Sequence, residues 1–297
     1  MKKIGYYPGC TLKTKAKIFE KTALYTAEKL GYEFIELPNW NCCGAVFSLS
    51  SDDLIHHLAP IRNLVRVQDM KEGAFLSEET LVTLCSMCFN TLKRANIRYK
   101  NSAEDRSKIK NIMDTESAYQ GNVSVLHFLE LFKSIEPGSV KLKRKLKGLK
   151  VFVYYGCTLL RPKEASLDDA EAPVILERYV ETFGAEALST PFSRLCCGSY
   201  QTVNAREKVV ELAYKILTSA IESGADAVIT ACPLCFFNLK DIQNEICAAY
   251  PDFKGIPVAY FTELSAYALG MDPGEWDEEP GFIKTALAQT GEKKIKR

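Results

Sequence analysis

Ten of the eleven cysteines form two sets with the same internal order. Each set has one isolated cysteine, then Cys-Cys-Gly, then Cys-x-x-Cys. The first set is Cys10, Cys42, Cys43, Cys85 and Cys88, and the second is Cys157, Cys196, Cys197, Cys232 and Cys235. Seventy-five positions separate Cys10 from Cys85, and the same number separates Cys157 from Cys232. Such a repeat indicates an internal duplication of the chain.

The residues around the cysteines repeat as well. Residues 6–12 (YYPGCTL) match residues 154–159 (YYGCTL) if Pro8 is taken as an extra residue. Residues 85–90 (CSMCFN) match residues 232–238 (CPLCFFN), which contain one additional phenylalanine. The duplication therefore extends beyond the cysteines themselves.

The duplication predicts two similar domains and a tail. We place the first domain at residues 1–140, the second at 149–272 and the tail at 273–297. Between the domains, Pro137-Gly138 and the basic run from Lys141 to Lys150 are typical of a linker. We interpret that run as solvated, and a docking surface for an acidic partner is the alternative.

Short apolar runs before the cysteines predict strands. They are Lys3 to Tyr7, Leu81 to Leu84, Leu149 to Tyr155 and Ala227 to Ala231. Helical periodicity lies between them, with apolar faces at Ala16, Phe19, Ala23, Ala27 and Leu30, and at Val209, Leu212, Ala213, Ile216 and Ala220. Gly31 and Gly184 are predicted helix ends.

Alternating strands and helices predict an α/β fold, in which each domain is a small, mostly parallel sheet flanked by helices. Open parallel sheets bind ligands beyond the carboxyl ends of their strands. The cysteines should therefore gather at the C-terminal ends of the strands. Each Cys-x-x-Cys should open a helix, whose N-terminal amides favour thiolate over thiol.

Composition narrows the class of protein. A formal net charge of +1 argues against general attraction to nucleic acid or to an anionic membrane. No run of 18 apolar residues predicts a membrane span, and Met1 to Cys10 lacks the apolar core of a signal peptide. We therefore expect a cytoplasmic protein with reduced cysteines, in which clustered thiols bind metal or do redox work.

Soft thiolate ligands at all ten repeated positions favour iron–sulfur ligation. Structural zinc takes four ligands, so five thiolates overfill one ion, and the chain has three histidines to offer. A thioredoxin-type dithiol at Cys232 and Cys235 would leave the other cysteines unexplained. Unreactive buried thiols are the remaining alternative, and we apply that interpretation to Cys247, which stands outside both sets.

The two cysteine sets, with the block Asn39-Trp40-Asn41-Cys42-Cys43-Gly44, resemble the cysteine-rich CCG domain. Two copies on one chain resemble the catalytic, cluster-binding subunit of the soluble CoB–CoM heterodisulfide reductases of methanogenic archaea. The resemblance implies two noncubane [4Fe-4S] clusters, one held by each set of five cysteines. It also implies a ferredoxin-linked oxidoreductase that reduces the disulfide of coenzyme M and coenzyme B in methanogenesis.

The same resemblance implies partner subunits. The chain contains no Cys-x-x-Cys-x-x-Cys run of the ferredoxin type, so another subunit must supply electrons. In the family this is a small ferredoxin-like subunit, which works with a flavin-containing subunit, and with a hydrogenase or formate dehydrogenase. The alternative function is a non-catalytic electron-transfer subunit of a glycolate/lactate or succinate/fumarate type complex.

Basic residues near the cysteines are candidates to bind the sulfonate, phosphate and carboxylate groups of the implied substrate. They are Lys13, Lys15, Lys17, Arg161, Lys163 and Arg194, with ordinary surface charge as the alternative for each. His127 is a candidate proton donor to a leaving thiolate, and a core histidine is the preferred alternative because Tyr260 occupies its repeat position. We interpret His56 and His57, in a predicted helix from Asp52 to Leu58, as structural.

Overall fold

In a computed structural model of the chain, the described residues are 1–44, 53–133, 135–136, 138–276 and 282. Two four-stranded parallel sheets lie at the centre of the molecule. The first has the strands β1 (Lys2–Tyr7), β2 (Tyr32–Glu36), β3 (Thr80–Thr83) and β4 (Ser124–His127), in the order β2-β1-β3-β4. The second has β5 (Lys150–Tyr154), β6 (Glu186–Leu188), β7 (Ala227–Thr230) and β8 (Val258–Tyr260), in the order β6-β5-β7-β8. The shared order confirms the duplicated α/β fold.

Helices connect and flank these strands. In the first half they are α1 (Gly9–Leu12), α2 (Lys17–Lys29), α3 (Leu58–Glu72), α4 (Ser86–Asn101) and α5 (Ala103–Ile112). In the second half they are α6 (Ile175–Thr182), α7 (Arg206–Glu222), α8 (Pro233–Phe236), α9 (Gln243–Ala249) and α10 (Phe261–Leu269). Short 3₁₀ turns span Leu54–His57, Phe128–Phe132, Lys163–Ala165, Pro191–Arg194, Ser199–Gln201 and Pro273–Glu275, and a π-helical turn spans Phe237–Asp241. Among the described residues, no helix combines the length and the apolar character needed to cross a membrane.

Burial explains why the apolar runs form strands. Every residue of β3 and β7 is buried, as expected for central parallel strands that are covered on both faces. The predicted helix faces, in and next to α2 and in α7, also pack inward: their members are buried, except Leu30 and Leu212, which are half-buried. Gly31 and Gly184 follow α2 and α6 with positive φ, and so confirm the predicted helix ends.

The two halves interlock through the segments that follow their last strands. The turn Phe128–Phe132 packs against α6 of the second half, and α10 packs against α2 of the first half. Phe132 lies 4.6 Å from Tyr179 between ring centroids, and Phe19 stacks on Tyr260 at 4.2 Å. Each half therefore completes the core of the other.

Two buried hydroxyl pairs fix the register of α2 against α10. The Oγ1 atoms of Thr22 and Thr262 are 2.7 Å apart, and Thr26 Oγ1 lies 2.8 Å from Ser265 Oγ. Since buried hydroxyls need partners, sliding one helix along the other would break both bonds.

Part of the basic linker is packed rather than solvated. Arg144 lies over the Tyr267 ring at 4.8 Å and donates to the carbonyls of Tyr267 and Met271 at the C-terminal end of α10. A cation is favoured there because helix C-termini are electronegative. The domain boundaries 1–140 and 149–272 stay predictions, and Pro137 lies outside the described residues. So does most of the predicted tail, although its described members Trp276 and Phe282 are buried.

Candidate functional site

The strand order places the cysteines at one edge of each sheet. The strand β1 has β2 on one side and β3 on the other, so the carboxyl ends of β1 and β3 form the switch point where open parallel sheets bind ligands. Cys10 follows β1, Cys42 and Cys43 follow β2, and Cys85 follows β3. The second set follows β5, β6 and β7 in the same way. This confirms the expected position of the cysteines at the C-terminal ends of the strands.

The sulfur atoms pair in the same pattern in both halves. In the first set, Cys10 and Cys42 have Sγ atoms 3.9 Å apart, and Cys43 and Cys88 have Sγ atoms 3.4 Å apart. The equivalent distances in the second set are 3.7 Å for Cys157 to Cys196 and 3.4 Å for Cys197 to Cys235. Duplication of the sequence is therefore matched by duplication of the sulfur geometry.

The two sets lie next to each other. The Cys85 and Cys232 thiols lie close enough across the boundary between the halves for each to shift the pKa of the other. Ser86 donates to the Ala231 carbonyl from its amide, at 3.2 Å, and from its hydroxyl, at 3.0 Å. Each Cys-x-x-Cys opens a helix, α4 or α8, as predicted. The starts of these two helices thus form the contact between the sulfur sets.

A buried tyrosine supports each Cys-Cys pair. Tyr7 donates its hydroxyl to the Asn41 carbonyl at 2.8 Å, and Tyr154 donates to the Leu195 carbonyl at 2.6 Å. Since both carbonyls directly precede a Cys-Cys pair, Tyr7 is equivalent to Tyr154. The alignment that treated Pro8 as an extra residue is therefore wrong. Because both halves contain a Tyr-Tyr pair, the two pairs align with each other in the sequence, one residue away from the structural match.

Two glycines leave space for sulfur. Gly9 has φ +73°, and a Cβ there would lie 3.0 Å from Cys88 Sγ. Gly156 has φ +67°, and a Cβ there would lie 3.3 Å from Cys235 Sγ. The left-handed backbone disfavours a side chain at both glycines, and the neighbouring sulfur would have to shift to admit one. The two glycines therefore leave room beside the buried Cys88 and Cys235 thiols.

Ionisation of these thiols depends strongly on their neighbours. Hydrogen bonds from Cys232 and Cys88 hold the pKa of the Cys85 thiol well below its usual range. The hydrogen bond from Cys157 lowers the pKa of Cys196 to about 6. For Cys232, a bond from Cys235 lowers the pKa, but the bond to Cys85 and burial outweigh it and raise the value to about 12.

Such close thiols oppose one another's ionisation, since each thiolate repels the next. Ten thiolates at these positions therefore require nearby positive charge. Soft iron ions supply that charge, so the five thiols of each set, with the glycines that leave room beside them, fit an iron–sulfur group.

A site for one single metal ion is a different arrangement. Across the described ranges, no group of three or more His, Cys, Asp or Glu side chains is arranged to hold one metal ion.

A cavity of about 1150 Å³ opens beside Cys157. Its described lining comes from the second half and includes Arg161, Lys163, Glu171 and Tyr200. The first set contributes none of the described lining residues. The cavity therefore gives access to one set, while the Cys85–Cys232 contact connects that set to the other.

The basic candidates occupy different surroundings. Arg161 and Lys163 line the cavity, and Arg161 lies 3.2 Å from Glu171. Arg194 donates to the Glu171 carbonyl. Lys13 is held at 2.7 Å by both Glu20 and Glu36, and Lys15 and Lys17 are exposed.

His127 is buried in the core. Its Nε2 lies 2.8 Å from the Leu84 carbonyl, and its Nδ1 accepts from the Leu129 amide at 3.3 Å. These contacts favour the core-histidine interpretation over the proton-donor interpretation. His57 is buried near Arg98, while Asp52, the start of the predicted helix there, lies outside the described residues. Cys247 is exposed in α9, so the expectation of a buried thiol is wrong.

Three further residues at the site escaped the sequence interpretation. Tyr200 lines the cavity, Asn90 bonds to the Thr158 and Arg161 carbonyls, and Asn238 bonds to Cys197. The two asparagines occupy equivalent places in the repeat, which was the available signal. Nothing in the sequence around Tyr200 indicates its position.

Known proteins resemble this chain along most of its length. The family model for the cysteine-rich domain CCG matches residues 4–93 and 151–240. The 8-methylmenaquinol:fumarate reductase membrane anchor subunit of Wolinella succinogenes is 30% identical over 92% of this chain and 94% of its own length. One subunit of the ferredoxin/F420H2-dependent CoB-CoM heterodisulfide reductase of Methanosarcina acetivorans is 29% identical over 96% of this chain and 95% of its own.

A solved structure also shares the fold. A hypothetical protein from Helicobacter pylori covers 91% of this chain with a TM-score of 0.73 at 13% sequence identity. This chain spans about half (49%) of that protein's length, and the likeness concerns the fold alone. The family matches cover both sulfur sets, and the chain belongs to the cysteine-rich CCG domain family, with two copies of the domain.

Proposed function

We propose that this protein is the catalytic subunit of a heterodisulfide reductase, which reduces the mixed disulfide of coenzyme M and coenzyme B to two thiols. Similarity over 96% of the chain to one subunit of a CoB-CoM heterodisulfide reductase supports this function. The observation that carries the proposal is the pair of hydrogen bonds from Ser86 to the Ala231 carbonyl, which brings the two equivalent five-thiol sets together at Cys85 and Cys232. A disulfide has two sulfur atoms, and two adjacent redox sites suit them.

Cys10, Cys42, Cys43, Cys85 and Cys88 would hold one noncubane [4Fe-4S] cluster, and Cys157, Cys196, Cys197, Cys232 and Cys235 would hold the other. Five thiols in each set exceed the four that an ordinary cubane needs. Bound clusters of this kind supply single electrons and sulfur-seeking iron. The reaction balances as one disulfide, two electrons and two protons giving two thiols, so one electron from each site suffices.

The side chains around the cavity suit an anionic substrate. Arg161 and Lys163 line the cavity beside Cys157, and Arg194 donates a hydrogen bond to the Glu171 carbonyl. In this proposal their charges orient the sulfonate, phosphate or carboxylate ends of the coenzymes. Exchange of the Glu171 carboxylate for a substrate anion would free Arg161 to bind it, because an ion pair this exposed contributes little stability.

Electrons would come from other proteins of a complex. We propose that the direct donor is a small ferredoxin-like subunit, and that a flavin-containing subunit, with a hydrogenase or formate dehydrogenase, lies further upstream. The many reduced cysteines suit a cytoplasmic location. Co-purification of such a donor with this chain from native extract is the expected result.

A non-catalytic relay subunit is the second candidate. The relative from Wolinella succinogenes supports it, because that protein is named as a subunit of a menaquinol:fumarate reductase. A relay passes electrons onward and needs no disulfide substrate.

Turnover by the isolated chain separates the two functions. The chain should be purified anaerobically and supplied with a reduced viologen dye and the coenzyme M–coenzyme B disulfide. Formation of two thiols per disulfide, with matching dye oxidation, supports the reductase. Dye oxidation that stays at the protein-free rate, in a protein with full iron content, would contradict it and favour the relay.

A further inference from the structure

The two copies of the motif differ at a pair of equivalent asparagines. In the first half, Asn90 donates through Nδ2 to the carbonyls of Thr158, at 2.8 Å, and Arg161, at 2.7 Å. Both carbonyls belong to the other half. An amide nitrogen has two hydrogens, so these contacts use the donors of Asn90.

In the second half, the equivalent asparagine turns toward its own sulfur set. Asn238 is fully buried, and its Nδ2 lies 3.2 Å from the Cys197 carbonyl and 3.7 Å from Cys197 Sγ. A carbonyl can only accept, so the nitrogen of the amide must face Cys197. Thr202 Oγ1 contacts the other end of the amide, Asn238 Oδ1, at 3.2 Å.

The extra phenylalanine accounts for this difference. The helix after Cys85 is regular from Ser86 to Asn101, whereas Phe237–Asp241 after Cys232 forms a π-helical turn. A π turn accommodates one added residue inside a helix and rotates the residues next to it. Phe237 is 38% exposed, so the insertion leaves this side chain outside the core and Asn238 inside.

We propose that Asn238 is a positioning residue that raises the reduction potential of the centre held by the second cysteine set. It would do so by donating an N–H hydrogen bond to Cys197 Sγ. This inference rests on the proposed iron–sulfur function. A donor to a ligand sulfur stabilises the reduced centre more than the oxidised one, because reduction adds negative charge to the sulfurs. Asn90 cannot do the same for the first set while it binds the two carbonyls. The donor therefore biases an electron toward the set beside the cavity.

The test is a potentiometric titration followed by electron paramagnetic resonance, on the anaerobically loaded full chain. Cys43→Ser and Cys197→Ser assign the spectral components to the first and second sets. Asn238→Leu removes the N–H donor at similar side-chain volume, and Asn238→Asp also removes it while adding a carboxylate, whose negative charge would lower the potential further. We expect both to lower the potential of the second component, so that its reduced-to-oxidised ratio at a fixed poise falls about tenfold, as for one hydrogen bond to a charged group. The first component should not move.

Thr202→Val is the matched control. It removes the hydroxyl next to Asn238 Oδ1 but leaves the amide nitrogen against Cys197, so both potentials should stay as in the wild type. An equal shift in this variant, an unshifted second component in both Asn238 variants, or equal shifts of both components would overturn the inference. Loss of half the iron from both Asn238 variants would also overturn it, since Asn238 would then be needed only to build the site.

These outcomes are separate from those of the proposed function. A selective shift in a protein that does not reduce disulfides would support the role of Asn238 and contradict the reductase. Disulfide turnover by wild type, together with an unchanged potential of the second component in the Asn238 variants, would support the reductase and contradict the role of Asn238. Wild-type protein without iron would overturn both.

Discussion

Cys247 differs from the other ten cysteines in both position and surroundings. It is exposed, lies in α9, and contacts the Phe253 carbonyl at 3.6 Å through its Sγ. Cys197, by contrast, is buried 3.4 Å from Cys235. At the residue scale, the metal binding that we propose therefore depends on membership of a set and not on cysteine as such.

This contrast gives the first prediction. Wild type should contain about eight irons per chain, from two four-iron clusters. Cys247→Ser should leave iron content and visible absorbance nearly unchanged, whereas Cys43→Ser or Cys197→Ser should lose about half of the iron, because each removes a thiolate from one cluster. Elemental analysis of anaerobically purified protein measures this. Equal loss in all three variants, or zinc in place of iron, would contradict the ligand assignment.

His127 gives a prediction about acid stability. Burial and, to a smaller extent, the positive charge of Lys93 lower the pKa of His127 to about 3, although the hydrogen bond to the Leu84 carbonyl partly offsets them. The ring therefore stays neutral in the folded protein but takes up a proton when unfolded, below pH about 6.5. A lowered histidine pKa makes folding less favourable as pH falls, and the loss between pH 7 and pH 5 should be about 2 kcal/mol.

The measurement compares His127→Asn with wild type. Asparagine can still cap the turn that follows β4 but has no charge to gain. At pH 7 the free energy of unfolding should be larger for wild type than for His127→Asn. This difference should shrink by about 2 kcal/mol at pH 5. Comparing the two proteins cancels acid effects that they share. A difference that stays constant with pH would show that His127 titrates normally.

At the scale of elements, Gly9 at the start of α1 and Gly31 after α2 make a matched pair. Both have positive φ, at +73° and +83°, so alanine strains the backbone similarly at each. A Cβ at Gly9 would also lie 3.0 Å from Cys88 Sγ, while a Cβ at Gly31 meets nothing within 4 Å. Their substitution therefore separates backbone strain from displacement of a sulfur.

We predict that Gly9→Ala loses iron from the first set and that Gly31→Ala keeps it. Both should lower the free energy of unfolding by about 1–2 kcal/mol through backbone strain. Iron content and thermal unfolding, measured on the same samples, check the two effects. Iron loss in Gly31→Ala of the size seen in Gly9→Ala would mean that general destabilisation, rather than the sulfur contact, controls cluster binding.

The elements also indicate what the sequence could and could not predict. Strands before the cysteines and the starts of α4 and α8 followed from local apolar runs and spacing. The π turn at Phe237–Asp241 did not, because an added residue can form a bulge, a loop or a shifted helix at similar local cost. The packing of α10 on α2 could not be predicted from local patterns either, because a buried helix face does not specify the element on which it packs. For the same reason the contact between Cys85 and Cys232 was only an expectation about facing domains.

At the scale of the whole molecule, the duplication brings the two sulfur sets together at the boundary between the halves. Each half buries the C-terminal element of the other, and Ser86 and Asn90 bond across the boundary next to the cysteines. These contacts hold the two sulfur sets in a fixed relation. A molecule that only relays electrons could use the two proposed sites in sequence, whereas the proposed disulfide reductase uses both sites for one substrate molecule.

The most direct test is disulfide reduction by Cys42→Ala and Cys196→Ala, which remove equivalent thiols from the first and second sets. A small artificial donor that reaches both sites should supply the electrons, and the iron remaining in the intact set should be measured in parallel. We expect each variant to keep one cluster and to lose disulfide turnover, because one site alone cannot complete the two-electron reaction. Near-normal turnover by either variant would contradict the joint site and show that the damaged set served only to carry electrons.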